Sequence, residues 1–568
     1  MEQDVAQVHH AAQVVVLVYM ALMVSIGVYF SRHMKTIGDY FKGGSSIPGW
    51  AAGISAYMTN FSAYSFVAIA SVVYLNGPAG IMLETGPALA FYVGALVLAT
   101  RWHRAQVTTP VEYLEARYGR GTRQIFAWLG VTMSLLGSGM RIYALSRLIN
   151  ALLGFPLLAS IVGSGLIMLS YTLLGGVWAV VVTDVVQFVV LFAAVIPLFL
   201  ISLAKVGWIA GMLAQSPAGY FSFPAGEYTW YWLGAWWLSY LLDYNGNWGI
   251  IQRYCVTASE REARKAGYWA AALSVPHAVL LFMPVLVARI IMPDIDPEAS
   301  YGRIAMALLP TGIIGIVAAA MLAATMSALD SSWNIGSGVL TKDVYQRLIR
   351  PNAGDRELLN VGRLATALIG AVATSIAIII ALTETRLFGM AQKIVSMIQA
   401  PTVVPILLGL MIPRMPRWSA LAGVAVGVLA YLVNDYLLPE ETPFAVEFAV
   451  SFGSVIGAML LCAWLAPARG KDRERIAAFF DKLRRPAIRP PIPATDVPHP
   501  LRIIGVFVAL IGVMMLCMIA LPQSSAERVL TALGGLFLIG VGVAMRWSGG
   551  RDARSPRQLE DGKGGFEI

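Results

Sequence analysis

The sequence predicts an all-α polytopic membrane protein, and three observations lead to that fold class. Of the 568 residues, 58% are hydrophobic and 13% are charged, which is more apolar surface than an aqueous fold of this size can bury. The mean hydropathy is +0.69. Apolar runs of about 20 residues recur along the chain, and that is the length a helix needs to cross a bilayer.

The apolar runs predict fifteen helices in order along the chain. They cover residues 10–31, 48–76, 78–100, 124–153, 156–174, 176–204, 229–252, 266–292, 311–341, 358–383, 387–412, 418–437, 443–466, 503–521 and 529–545. The first helix follows MEQDVAQVHH, which has no basic segment of the kind that opens a cleaved signal peptide, so we expect that helix to be retained. The Pro- and Arg-rich stretch 469–499 is predicted as a linker and the tail after Arg546 as disordered.

The charge distribution supports this helix list and orients it. Most of the 41 lysine and arginine residues fall in alternate loops, as the positive-inside rule requires when no helix is missed. The prediction places the N-terminus outside and the C-terminus in the cytoplasm. The net charge of +9 is then a consequence of membrane orientation, and we expect no nucleic-acid partner. The three cysteines show no metal-ligand spacing and predict neither a disulfide framework nor a zinc site.

Charged residues break the apolar pattern inside several predicted helices. These residues are Glu84, Arg141, Arg147, Asp184, Asp243, Arg289, Asp330, Arg363 and Lys393. A lone charge at a helix centre costs about 2.5–3.5 kcal/mol, so each needs a partner, a wet cavity or a place near the interface. Arg147, Arg289 and Arg363 lie near helix ends and are interpreted as snorkelling. Arg141 lies mid-helix in LLGSGMRIYALS, and an ion pair with Asp184 or Glu84 is the structural alternative to a functional role.

Three polar stretches interrupt predicted helices in a way that suggests binding sites. They are GISAYMTNFSAYS (53–65), LDYNGNWG (242–249) and MSALDSSWNIGSG (326–338). Hydroxyls that bond to their own helix carbonyls would be the purely structural interpretation. However, the second and seventh helices are five apart, as two inverted five-helix repeats require, and broken helices at corresponding positions mark the binding site of such transporters. We therefore predict an unwound turn in the second helix and another in the seventh.

The chain resembles the sodium:solute symporter family, which includes bacterial sugar, proline and sialic-acid cotransporters. The resemblance extends over about residues 38–437 and depends on five stretches in the right order. These are DYFKGGSSIPGW, TTPVEYLEARYG, LLGGVWAVVVTDVVQ, IIQRY and TKDVYQRL. It implies a LeuT-type core of two inverted five-helix repeats, with one extra N-terminal helix and about four extra C-terminal helices. The implied divisions are 1–47, a core at 48–412, two helices at 413–466, a linker at 467–502, two helices at 503–545 and a tail at 546–568.

The family resemblance also implies two cation sites. The first would use the carbonyls of Met58, Phe61 and Ala324 and the hydroxyl of Ser327, while a further hydroxyl of the family is Ala328 here. The second would use four residues. These are Asp184, Ser327, Asp330 and Ser331. Asp330 stands where a serine or threonine is usual, so the expected coupling ion is Na⁺, with H⁺ in addition or instead as the alternative.

The resemblance implies an acidic solute as substrate. Ser62, Ser65 and Arg141 match positions that hold a substrate carboxylate in the sialic-acid transporters of the family, and arginine suits bidentate carboxylate binding. Sugar hydroxyls would meet the remaining candidates. These are Asn60, Glu84, Tyr240, Asp243, Gln392 and Gln399. The predicted function is import of a sialic acid or related acidic sugar with sodium, and a neutral sugar or polyol is the second candidate.

Other classes of function fit the sequence less well. A sensor built on a transporter fold would carry a large cytoplasmic signalling domain, and only about 20 residues follow the last predicted helix. The six histidines are scattered without a paired-His motif, so we expect no enzyme. The expected setting is a bacterial inner membrane, with lipids and a small solute as the partners of a monomeric functional unit.

Overall fold

The computed structural model describes residues 2–31, 47–107, 110–172, 177–383, 386–437, 439, 442–487, 500–520 and 525–552. The chain is helical throughout these ranges, apart from short connections. Most of DYFKGGSSIPGW and the last 16 residues of the predicted tail lie outside the described residues.

The first half of the chain forms the helices that carry one repeat of the predicted core. They are α1 (Glu2–Ser31), α2 (Gly49–Asn60), α3 (Ala70–Asn76), α4 (Pro78–Leu83), α5 (Gly86–Val93), α6 (Ala99–Ala105), α7 (Pro110–Tyr118), α8 (Arg120–Leu153), α9 (Leu157–Thr172), α10 (Val177–Lys205) and α11 (Trp208–Gln215). Two π-helical segments precede α3 and join α5 to α6. These are Ser65–Ile69 and Gly94–Leu98.

The second half contains the other core helices and the additional ones. They are α12 (Trp230–Gly246), α13 (Trp248–Cys255), α14 (Glu260–Ile291), α15 (Ser300–Leu308), α16 (Thr311–Val339), α17 (Asp355–Thr383), α18 (Leu387–Ile394), α19 (Ala400–Met411), α20 (Ser419–Tyr436), α21 (Phe444–Leu465), α22 (Gly470–Arg484), α23 (Pro500–Cys517) and α24 (Ser525–Asp552). Shorter π and 3₁₀ segments lie between them. These are Pro297–Ala299, Leu340–Ile349, Val395–Gln399 and Met518–Ala520.

The predicted fold class is confirmed. Eleven helices in the described part of the chain are long and apolar enough to cross a membrane, and the bent pair at residues 49–76 makes a twelfth. The three remaining predicted spans coincide with α1, with α9 and with the pair α12 and α13. An integral membrane protein of many spans follows from these lengths and compositions.

The first predicted break lies where the sequence placed it. Helix α2 ends at Asn60, Phe61 is extended with φ −85° and ψ 134°, and the two halves of the helix are inclined by 59°. The backbone N–H of Ala63, inside the break, donates a hydrogen bond of 2.9 Å to Oγ1 of Thr325 on α16. The unwound turn is thus held against the helix that carries the third polar stretch.

The second break is a single residue wide. Helix α12 ends at Gly246, Asn247 is extended, and the Asn247 side chain accepts a hydrogen bond of 2.8 Å from the N–H of Gly249 to begin α13. The packing around the two breaks is reciprocal, since α2 packs on α14 while α12 packs on α5. Both predicted breaks in the helices are therefore present.

Close approach of α2 to α14 depends on a glycine. A Cβ atom built at Gly53 would lie 2.6 Å from the carbonyl oxygen of Ala266, which is closer than side chains tolerate. The glycine in GISAYMTNFSAYS therefore allows the first half of the broken helix to lie directly on its neighbour.

Residues 467–502, predicted as a linker, contain helix α22. The side chains of Ile476, Phe479 and Leu483 follow one another at helical spacing and are buried. Phe479 packs against Tyr113 of α7 with ring centroids 5.8 Å apart. The surrounding charges made this stretch resemble a linker, but the three apolar residues form a stripe that docks the helix.

Arg104 joins three helices, α6, α14 and α22. Its guanidinium forms a bidentate pair with Glu260 at 2.7 and 2.8 Å, at the start of α14. The same group donates hydrogen bonds of 3.1 and 3.2 Å to the carbonyls of Leu483 and Arg484. One arginine on α6 thereby caps the C-terminal end of α22, where helix carbonyls lack partners.

The chain divides into two compact units, at 1–492 and 493–568. The second unit contains the hairpin of α23 and α24. Its helices touch through glycines, because a Cβ at Gly512 would lie 2.6 Å from the carbonyl oxygen of Gly535 and one at Gly505 would lie 2.4 Å from that of Gly542. Small residues of this kind let two membrane helices approach closely.

Candidate functional site

A central cavity of about 230 Å³ lies between the two breaks. Phe61 and Ser62 line it from the first break, and Tyr244 and Asn247 line it from the second. Its other walls come from α5, α8, α14 and the segment around Val395. Two unwound turns facing one cavity can offer backbone and side-chain groups to a ligand that a continuous helix would use internally.

Most of the predicted substrate residues line this cavity. The residues concerned are Asn60, Ser62, Ser65, Glu84, Arg141, Tyr240, Asp243 and Gln399. The amide nitrogen of Asn60 and the hydroxyl of Tyr64 are buried and have no hydrogen-bond partner among the described residues. Such groups are available to a polar ligand, and leaving them unpaired costs free energy.

Gln392 lies apart from the other predicted residues. Ala391, Val395 and Gln399 line the central cavity at a spacing of four residues, and Gln392 is one residue out of that register. It lines a separate cavity together with Arg386 and Lys393. The π-helical segment Val395–Gln399 changes the helical register between Gln392 and Gln399, which accounts for the separation.

One wall of the cavity carries groups suited to hydroxyls. Glu84 is buried, and the hydroxyl of Tyr240 donates a hydrogen bond of 3.5 Å to its carboxylate. The hydroxyl of Ser239 donates to the side-chain oxygen of Gln399 at 3.1 Å, and Asp243 lies within reach of the same amide. Carboxylates of this kind accept from several hydroxyls, and an amide both accepts from and donates to them.

Arg141 is the cation of the cavity. Its guanidinium donates a hydrogen bond of 3.5 Å to Oγ of Ser332, and it forms no ion pair within 4 Å in the described part of the chain. Neither Asp184 nor Glu84 is its partner, so the structural alternative for Arg141 is wrong. Asp243 is a carboxylate that acts on it electrostatically.

The two elements that carry the first predicted cation site, the end of α2 and α16, pack against each other near the first break. Met58 and Phe61 belong to the end of α2, where carbonyls lack the partners of a continuing helix. Ala324 and Ser327 are buried on α16, and the Ser327 hydroxyl has no hydrogen-bond partner among the described residues. A buried hydroxyl without a partner suits an oxygen-seeking cation such as sodium. Ala328, also buried, adds no oxygen.

The second predicted cation site contains a residue that sequence reasoning did not assign to it. Asp184, Asp330 and Ser331 are buried on α10 and α16, and Arg253 of α13 lies among them. The guanidinium of Arg253 donates to Asp184 at 3.5 Å and to Ser331 at 3.0 Å. Asp184 therefore has an arginine partner, but that partner is Arg253.

Comparison with known proteins decides the family. Residues 40–427 match the model of the sodium:solute symporter family. The chain belongs to that family. This symporter is 27% identical over 441 residues to the sodium/sialic acid symporter SiaT of Proteus mirabilis, covering 74% of this chain and 88% of the relative. It is 29% identical over 471 residues to the sodium/glucose cotransporter of Vibrio parahaemolyticus, covering 75% and 85%.

A solved structure supports the fold. The substrate-bound, outward-open state of a sodium-coupled sialic acid symporter aligns with a TM-score of 0.72 at 24% identity, covering 81% of this chain and 99% of that one. The symporter therefore has a LeuT-type fold. Its membership of the sodium:solute symporter family makes it a sodium-coupled solute symporter and no enzyme.

Sequence reasoning missed one further wall of the symporter's cavity. The hydroxyl of Tyr57 and Nδ1 of His277 share a hydrogen bond, and the His277 ring lies 4.5 Å from that of Phe61 between centroids. Both Tyr57 and His277 line the cavity. His277 stands alone in an apolar helix, and only its position opposite the first polar stretch could have indicated its place.

Proposed function

We propose that the symporter imports a small carboxylate-bearing solute, a sialic acid or a related acidic sugar, together with sodium. One observation carries this proposal: Arg141 lines the central cavity without an ion-pair partner within 4 Å in the described part of the chain. A guanidinium in that situation is matched by a carboxylate, which it can bind through two parallel hydrogen bonds.

The rest of the cavity supplies the polar contacts of a sugar. Ser62 and Ser65 lie at the first break, where their hydroxyls can bond to the same carboxylate. Glu84 with Tyr240, and Asp243 with Gln399, would bond to hydroxyl groups. The relatives named for sialic acid and for glucose are consistent with this division into an acid-binding part and a hydroxyl-binding part.

A neutral sugar or polyol is the second candidate. Asp243 acts electrostatically on Arg141, and it could neutralise the guanidinium without any substrate carboxylate. In that case Arg141 would serve as a hydrogen-bond donor to hydroxyls, and an acidic solute would gain little from it.

The transport cycle we propose is alternating access around this cavity in a bacterial inner membrane. The N-terminus would face outside and the C-terminus the cytoplasm, and one chain would be the functional unit. Sodium would bind at Met58, Phe61, Ala324 and Ser327 and join the break in α2 to α16. Because that break also lines the substrate cavity, binding of the ion would order the same turn that meets the solute.

Uptake into proteoliposomes tests the proposal. Labelled sialic acid, glucuronate, glucose and myo-inositol would be compared with an inward sodium gradient and with potassium in its place. We expect sodium-dependent uptake of an acidic sugar that is lost in Arg141→Gln and retained in Arg147→Gln. Arg147 lies six residues after Arg141 on the same helix and pairs with Asp296. Preferential uptake of glucose or myo-inositol that survives Arg141→Gln would favour the second candidate. Uptake driven by a proton gradient without sodium would overturn sodium coupling.

A further inference from the structure

The buried cluster around Arg253 connects four core helices. Arg253 lies on α13 and is 1% exposed. Its Nε donates a hydrogen bond of 3.0 Å to Ser55 of α2, and its Nη2 donates to Ser331 of α16 at 3.0 Å and to Asp184 of α10 at 3.5 Å. The hydroxyl of Ser55 in turn donates to Asp184.

The remaining guanidinium nitrogen is also engaged. Nη1 of Arg253 donates at 3.2 Å to the carbonyl oxygen of Gly249 and at 3.2 Å to the side chain of Gln252. All three nitrogens therefore have partners, and the positive charge is fixed in place. Arginine keeps its charge in proteins, so this cation is permanent.

Three oxygen atoms of the same cluster remain without a hydrogen bond in the described part of the chain. They are Oδ1 of Asp184, Oγ of Ser327 and Oδ2 of Asp330. The Ser327 hydroxyl lies within hydrogen-bonding reach of Asp184, and the Thr172 hydroxyl within reach of Asp330. Asp330 acts electrostatically on Arg253 and on Asp184. The other oxygen of Asp330 accepts a hydrogen bond of 2.9 Å from Asn334. The unpaired oxygens belong to groups that are at most 2% exposed, and hard cations bind to oxygens of this kind.

The ionised groups of the cluster lack one positive charge for neutrality. Two carboxylates, Asp184 and Asp330, face one guanidinium, that of Arg253. A buried excess of one negative charge is unfavourable until a cation compensates it. A single monovalent cation at the three unpaired oxygens would balance the cluster.

We infer that Arg253 is a resident cation of the second ion site and limits that site to one transported sodium ion. The inference rests on the proposed sodium coupling and adds the rule that sets the number of ions. Asp330 supplies the extra charge, and Arg253 cancels one of the two carboxylates. In this arrangement, the count of ions follows from the sum of the fixed charges.

Changing the fixed charges should change the number of sodium ions bound. Asp330→Asn makes the cluster neutral and should remove one bound sodium per protein. Arg253→Gln leaves two uncompensated carboxylates and should add one. Arg253→Gln combined with Asp330→Asn restores a single negative charge and should return the wild-type number. Arg253→Lys keeps the charge and should also keep that number.

Equilibrium dialysis with radioactive sodium on the purified full chain, at about pH 8 where competition by protons is least, measures these numbers without transport. Size-exclusion profiles would identify variants that fail to fold, and Arg117→Gln, another buried arginine, is the control for loss of a buried guanidinium. An Asp330→Asn protein with the wild-type count, or a folded double variant that does not regain it, would overturn the inference. A wild type that binds no sodium would instead contradict the proposed function itself.

Discussion

The backbone N–H of Ala63 donates a hydrogen bond of 2.9 Å to Oγ1 of Thr325, and this bond joins the unwound turn of the first core helix to α16. Thr325 stands between Ala324 and Ser327, two members of the first predicted sodium site. The threonine therefore fixes the distance between the two halves of that site, although it supplies no ligand in the predicted set.

Replacing Thr325 by valine should weaken sodium binding. The change preserves shape and removes the bond from Ala63 together with the bond that the Thr325 hydroxyl donates to the carbonyl of Met321 in its own helix. Loss of the Ala63 bond is worth about 0.5–1.5 kcal/mol, so apparent sodium affinity should fall by about 2- to 13-fold. Sodium titration by tryptophan fluorescence of the purified protein measures this. Thr366→Val is the matched control, because Thr366 is also buried in a helix and its hydroxyl donates to a carbonyl of its own helix, that of Gly362, as Thr325 does to Met321. Equal affinities for the wild type and Thr325→Val would contradict the role.

Arg141→Lys should distinguish bidentate binding from simple charge attraction. Lysine keeps the charge but loses the planar pair of donors, and Arg141→Gln loses the charge as well. If a carboxylate binds there, affinity for the acidic solute should fall moderately in Arg141→Lys. It should fall by about 30-fold or more in Arg141→Gln, since breaking a buried charged pair costs about 2–5 kcal/mol. Competition binding of an acidic sugar and its neutral analogue gives the answer. Equal losses for both sugars would rule out a carboxylate at Arg141.

Ala328→Ser should strengthen sodium binding. The new hydroxyl would lie one residue after Ser327 on the buried face of α16 and add the oxygen that the first site lacks. A gain of about 1 kcal/mol, or roughly fivefold in affinity, is expected for one added polar contact. Ala320→Ser, equally buried but about 12 Å further along the helix, should leave sodium affinity unchanged. The same fluorescence titration compares the two variants, and a gain in both would show that the effect is not local.

Glu298 predicts a pH dependence of stability at one end of the core. It lies in the connection Pro297–Ala299, and its carboxylate accepts a hydrogen bond of 2.8 Å from the N–H of Leu387 at the start of α18. Burial raises the pKa of Glu298, and the bond from Leu387 and the charge of Arg147 oppose that rise. The folded pKa lies above the unfolded one, so the folded chain binds the proton more tightly and the stability from Glu298 is greatest at low pH.

That stability should decrease as the pH rises from the unfolded pKa of this glutamate, about 4.5, through its raised folded pKa. Glu298→Gln keeps the hydrogen bond to Leu387 and removes the titration. Thermal unfolding of detergent-solubilised protein across pH should therefore show a smaller decrease in the variant. Identical pH profiles would mean that Glu298 titrates alike in the folded and unfolded chains.

Phe479→Ala should release helix α22 from the core. Phe479 is the central residue of the buried stripe and contacts Tyr113, and loss of a buried phenylalanine side chain typically costs about 3–5 kcal/mol. Hydrogen exchange of residues 470–484 should then become much faster. Lys482→Ala, on the exposed face of the same helix, should exchange like the wild type. Unchanged protection in Phe479→Ala would show that Ile476 and Leu483 suffice to hold the helix.

The spans and the breaks could be predicted from the sequence because each has a local signal. Helices that cross a bilayer need about 20 apolar residues, and polar clusters such as that at residues 59–65 are too costly in such a helix without a purpose. The resemblance to a known family then placed Ser62, Ser65 and Arg141, and all three line the cavity.

Contacts between distant helices could not be predicted in the same way. Arg253 was visible in IIQRY, but its partner Asp184 is 69 residues away, and no local pattern joins them. Gln392 was misplaced relative to Gln399 because the π-helical segment Val395–Gln399 changes the register between them. Helix α22 was not predicted because charged residues surround its short apolar stripe. In each case, the deciding information is tertiary.

Because Arg104 caps α22, movement of this helix can be used to follow the transport cycle. Arg104 holds the carbonyls of Leu483 and Arg484 and the carboxylate of Glu260 with one side chain, so α22 should travel with α6 and the start of α14 as a rigid body. If those helices rotate when the cavity opens to the other side, a fluorophore on the exposed position 474 would be displaced with them. A label on this short helix would thus report the conformation of the core.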